Sequence, residues 1–226
     1  MAISHVANAQ GYGASGTALS ITHGMSLQNG DVLVAFVHAA SQSTCVSDHG
    51  MTKHIETDLG SPTPVSHCWV FSKLITDAGS EPAAYTWTFS STTPSGILQQ
   101  FRGVDSTIWD VTPAAGTSAA GTGTSCAAPS ITITAAGSMG LVYIAAESGT
   151  LPLINDAIDN SYGDLYQITT GRDCHAYRKA GLSAGATGAT TCTLNTSDDW
   201  AIHQVALKPA AGTLYGHTSL IQFGRC

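Results

Sequence analysis

Residues Glu81-Pro82-Ala83-Ala84-Tyr85-Thr86-Trp87-Thr88-Phe89 decide how the rest of the chain is read. Tyr85, Trp87 and Phe89 alternate with Ala84, Thr86 and Thr88, a period of two that puts three aromatic rings on one face of a strand. Such a face is stable only under a second sheet, so the stretch predicts an all-β sandwich. It continues into Ile97-Leu98-Gln99-Gln100-Phe101-Arg102-Gly103-Val104-Asp105, and a counterpart recurs at Thr191–Asn195 and Trp200–Leu207.

Upstream, Asn29-Gly30-Asp31 is a turn signal. The run from Asp31 to Ala40 that follows is rich in β-formers and apolar on both faces, which predicts a central strand covered on both sides. His67 to Leu74 reads as another strand, with Cys68, Val70 and Ser72 on one face and Trp69, Phe71 and Lys73 on the other. Thr17 to Thr22 reads as a strand after a flexible entry at Gly11, Gly13 and Gly16, and residues 41–64 read as a polar loop. Pro113 to Ser125 has the composition of a linker.

Beyond that linker the pattern repeats. Gly137 to Ala146 follows Gly30 to Ala39 at an offset of 107, with Tyr143 matching Phe36. Cys174 to Lys179 follows Cys68 to Lys73 at 106, and Ile202 and Gln204 match Ile97 and Gln99 at 105. The expected architecture is a jelly-roll-like two-sheet sandwich of two tandem four-strand copies, residues 1–112 and 113–209. Residues 210–226 are expected to form a C-terminal arm that docks on a neighbouring subunit or, as the alternative, a last strand on the same domain. There Leu214, Tyr215, Leu220, Ile221, Phe223 and Cys226 are candidate subunit contacts, because this tail is too apolar for a solvated end.

Composition narrows the function. Only 10% of the 226 residues are charged, against the usual quarter or so. Weak repulsion between copies favours packed assemblies. A net charge of −7 without a Lys/Arg run excludes binding to nucleic acid through phosphates. No charged and then apolar segment follows Met1, so no signal peptide is expected, and the longest apolar run, Val32 to Val37, is too short to cross a bilayer. Six cysteines then suit a protein made in the cytosol that later works outside the cell.

Gly30-Asp31-Val32-Leu33-Val34-Ala35-Phe36, Gly79 to Thr88 and Phe101 to Asp105 resemble a family of Ala/Gly/Thr/Ser-rich β-sandwich proteins of tailed bacteriophages. In the second copy, Ala184 to Ala189 and Asp198 to Pro209 carry the likeness. The resemblance covers residues 1–209 and implies a virion component of the decoration, head-fibre or tail type. It implies no catalytic residues. Partners would be copies of the chain and other virion proteins. A carbohydrate-binding or host-attachment module is the alternative, with host surface glycans as partners and Trp109, Tyr162 and Tyr166 as candidate sugar contacts.

Other chemistry finds little footing. Cys174 and Cys192 are nearly equidistant from the turn at Ser183, so a hairpin would bring them within disulfide reach; Cys45 and Cys68 would tie down the first loop. Cys126 and Cys226 lie outside the repeated motif. His49, His54 and His67 with Asp48 are the best metal cluster, yet their loop spacing is a weak signal, and no metal or cofactor is expected. No Gly-x-Ser-x-Gly elbow occurs, and most carboxylates sit in turns. The protein reads as structural, not as an enzyme.

Overall fold

The computed structural model describes residues 1–13, 16–40, 44–59, 66–147, 154–168 and 173–211. These form an all-β protein of several antiparallel sheets, consistent with a β-sandwich. In chain order the strands of the first half are β1 (Ser4–Tyr12), β2 (Gly16–Thr22), β3 (Val32–Ala39), β4 (Cys45–Ser47) and β5 (Thr52–Leu59). They continue with β6 (Ser66–Leu74), β7 (Ala84–Thr92), β8 (Pro94–Arg102) and β9 (Val104–Val111). The second half holds β10 (Ser118–Ala128), β11 (Thr132–Ile133), β12 (Ser138–Ala146) and β13 (Ile154–Ile158). After them come β14 (Gly163–Ile168), β15 (Asp173–Leu182), β16 (Gly185–Ala186) and β17 (Thr190–Pro209).

The first large sheet runs β1-β8-β3-β6-β5, and the second runs β10-β17-β12-β15-β14, with β9 and β13 also paired to β17. A three-stranded sheet, β2-β7-β4, and a two-stranded one, β11-β16, complete the set. Among the described residues, two small sheets are thus added to a large pair consistent with the sandwich expected from the sequence. The described residues of the first half supply nine strands, and β1, β4 and β5 arise in segments that read as entry and loop.

The large sheets pack face to face. Val34, Phe36, Val70 and Ile97 of one meet Leu141, Tyr143, Ala176 and Val205 of the other in one buried core. Phe36 and Tyr143 hold the same place in their two sheets and stack at 5.1 Å and 16°. On its outer side the first sheet is covered by β2-β7-β4, so all eight residues of β3 are buried, as its doubly apolar sequence predicts. Tyr85, Trp87 and Phe89 project into this outer core, while Thr86 and Thr88 do not. On β6, Cys68 and Val70 face the seam between the sheets, and Trp69 and Phe71 face outward, also as expected.

Two expectations fail for physical reasons. The segment 113–125 is mostly strand: β10 pairs with β17, and Gly121 lies so close beneath the Trp200 ring that a Cβ there would come within 3.0 Å of it. Small residues here make room for a ring. Ile202 and Gln204 do not occupy the places of Ile97 and Gln99. Tyr143 pairs with His203, whereas Phe36 pairs with Ile97, and Ile202 turns to the outer core. A slip of one residue exchanges the faces of a strand.

Candidate functional site

At one end of the molecule β17 finishes at Pro209, which pairs with Val104. Ala210 N–H donates to Gly103 O at 2.9 Å, and the Met1 ammonium donates to Ala210 O at 3.0 Å. Gly103 has φ +79, and a Cβ there would fall 2.5 Å from Ala2 O, so this crossing requires glycine. These segments, with the turns at Gly137 and Gly181, line an open groove of about 620 Å³. Ile3, Pro209, Ala210 and Ala211 are among its walls, and no lining residue carries an ionisable side chain. The groove can bury apolar groups but has no side chain for acid–base work. Ala211 leads directly into residues 212–226.

Next to this end, the FRGVD and GDVLVAF motifs meet. Asp31, 1% exposed, takes a two-pronged ion pair from Arg102, Nε to Oδ1 at 2.7 Å and Nη2 to Oδ2 at 2.9 Å. Gln100 and the Gln28 N–H also donate to it. Burial alone would raise this carboxyl, but its donors outweigh burial and hold it below the ordinary carboxylate value. Asp77 and Asp105 accept from the Gly79 and Thr107 N–H groups, as turn carboxylates do.

The expected site residues fare unevenly. Leu214, Tyr215, Leu220, Ile221, Phe223 and Cys226 lie outside the described residues. Trp109 is 8% and Tyr162 7% exposed, so neither ring offers a face for a sugar to stack on. Trp109 packs edge-on to His54, and the Tyr162 hydroxyl accepts from Gln204 at 3.1 Å. Tyr166 is half-buried against the seam core. Trp109 and Tyr162 thus fill cores, and Tyr166 packs against one.

The disulfide expectations are corrected. Cys45, Cys68, Cys126, Cys174 and Cys192 are all thiols, with no bridge among them. Cys174 and Cys192 do not share a hairpin: β12 lies between β15 and β17, and Cys174 pairs with Ala145, whose partner on β17 is Ala201, nine residues along the strand from Cys192. They also face different cores, as do Cys45 and Cys68.

The suggested histidine cluster disperses. His49 lies against Tyr85, and His54 reaches Ser72 Oγ at 2.7 Å. His67 instead joins Glu56 and Asp58, the one group of donor atoms among the described residues within 4.8 Å of one another. Its Nδ1 is 2.8 Å from Asp58 Oδ1 and 3.4 Å from Glu56 Oε1, a contact between one imidazole and two exposed carboxylates at the β5–β6 rim. Cys68 Sγ and His203 Nε2 lie 3.1 Å apart in the seam. Burial pushes this thiol up and this imidazole down to about 4, the opposite of what activates a cysteine nucleophile.

Compared with known proteins, the chain matches no family model, no curated protein and no solved structure. Among the described residues no helix is long and apolar enough to cross a membrane.

Proposed function

We propose that this protein is a structural component of a bacteriophage particle, present in several copies on the head or tail surface. Copies would associate through burial of apolar surface, with the apolar tail, residues 213–223, and the groove as the candidate contact surfaces. The observation that carries this reading is the groove itself. Its side chains are small or apolar, its one charge is the Met1 ammonium, and it sits where the chain passes into a tail bearing Leu214, Tyr215, Leu220, Ile221 and Phe223. An apolar segment next to an apolar bed gains from mutual burial, and a surface with few charges opposes assembly weakly. The identical strand order of the two large sheets supports reading the chain as two copies of one β unit that present their outer surfaces to neighbours.

The test is a chain ending at Ala211, compared with the full chain by analytical ultracentrifugation over a range of concentrations. The full chain is expected to assemble, and the shortened one to remain a folded monomer with the same β-type circular dichroism. A monomeric full chain, or a shortened chain that assembles equally well, overturns the reading.

A further inference from the structure

One pair of cysteines stands where the sequence did not point. In the β10–β17 ladder, Ser125 opposes Thr193, Cys126 opposes Cys192 and Ala127 opposes Thr191. Directly opposed residues of an antiparallel pair have Cα atoms about 4.5–5.5 Å apart, inside the range of about 4.4–6.8 Å that disulfides span. Both side chains are fully buried in the same outer core, beside Tyr177, Leu194 and Trp200. The other described cysteines oppose different residues: Cys45 faces Phe89, Cys68 faces His38 and Thr57, and Cys174 faces Ala145 and Ile168.

We propose that Cys126 and Cys192 form a latent oxidation site, which closes to an intramolecular disulfide through exchange with a small-molecule disulfide such as oxidised glutathione. The Cys126 thiolate attacks one sulfur of the reagent, forms a mixed disulfide and releases one small thiolate. The Cys192 thiolate then attacks the Cys126 sulfur, the protein S–S bond forms and the second small thiolate leaves. Two protein thiols are oxidised and one reagent disulfide is reduced to two thiols, which take up the two protons.

Timing follows from burial. Neither thiol has exposed surface, and burial pushes both above the ordinary value, Cys192 to about 11, so the closed fold reacts slowly. Strand β10 ends the strand order of its sheet. Exchange therefore proceeds when that outer strand opens, or as the chain folds. The bridge would tie β10 to β17 in a protein that leaves a reducing cytoplasm. The inference rests on strand register and stands whether or not the assembly reading holds.

The experiment uses the full chain, unfolded and refolded with oxidised glutathione, then alkylated and mapped by mass spectrometry without reduction. A peptide joining Cys126 to Cys192 is expected. The oxidised protein should melt about 5–10 °C above the reduced one. That gain should vanish in Cys126→Ser and persist in Cys45→Ser. Full alkylation of Cys126 and Cys192, their capture by other cysteines, or a bridged protein that melts no higher overturns the proposal. The map of the unsubstituted chain decides the matter even if a serine variant folds poorly.

Discussion

The two halves of the molecule order their main strands identically and fill them with different chemistry. Gly30 and Gly137 occupy the same turn, at φ +90 and +89, and their N–H groups reach Ile75 O and Leu182 O at the same 2.8 Å. The next residue differs. In the first half it is Asp31, buried and held by Arg102; in the second it is Ser138, whose hydroxyl lies 3.1 Å from Asp110 on β9. The outer cores differ as well. Trp69, Phe71, Tyr85, Trp87 and Phe89 make the first strongly aromatic. The second combines Tyr177 and Trp200 with two thiols, and a fully buried His175–Asp173 contact at 2.8 Å lies beside it. The backbone ladder and the alternation of faces set the strand order, and any side chain that satisfies burial at a position can serve.

This contrast can be broken by measurement. The largest effect is expected at Trp87, where Trp87→Ala leaves a cavity in a fully buried aromatic core and costs about 3–5 kcal/mol in urea unfolding. Trp200→Ala should cost less, since the indole is 7% exposed and lies over a glycine. Equal losses would show that the two outer cores are held equally tightly.

A smaller difference separates the matched turn residues. Asp31→Ala leaves Arg102 without its carboxylate and should cost about 3 kcal/mol, whereas Ser138→Ala removes one hydroxyl and should cost about 1 kcal/mol. Because the Asp31 carboxyl is held low in the folded state, its stabilisation is complete above the ordinary carboxylate range. It fades as pH falls through the lowered value, and Asp31→Asn should lose that acid dependence. Identical costs at the two positions would remove the assigned difference.

An effect between those two in size belongs to the seam. Burial lowers His203 from 6.5 to about 4, so the unfolded chain binds a proton in that interval that the folded chain does not. Stability should therefore fall as pH drops from 6.5 towards 4, by on the order of 2 kcal/mol near pH 4.5. His54, lowered by burial too, contributes with the same sign. In His203→Leu the slope should flatten, and an unchanged slope in chemical denaturation would place the sensitivity elsewhere.

Much of the architecture is legible in particular residues. The alternation at Tyr85, Trp87 and Phe89 announces a covered strand, and the doubly apolar run from Val32 announces a strand with a layer on each side. The candidate groove is not legible in the sequence, which marks only an apolar stretch after Ala211. Its bed is built from Ile3, Gly137, Gly181 and Pro209, residues far apart in the chain and individually unremarkable. The Gly103 crossing carries the nearest sequence signal, in the Arg102-Gly103 pair.

By itself the sequence determined what a single strand can express: which residues alternate, which faces are oily and where turns fall. Tertiary structure alone decided that the Gly/Ala/Thr run of β10 is a strand, since Trp200 covers it. It also decided that Ile202 faces outward, and that Cys192 opposes Cys126 and not Cys174. The physical reason is one of range. A period of two is a local property of the chain, whereas partners and register are fixed by whichever distant strand buries each face.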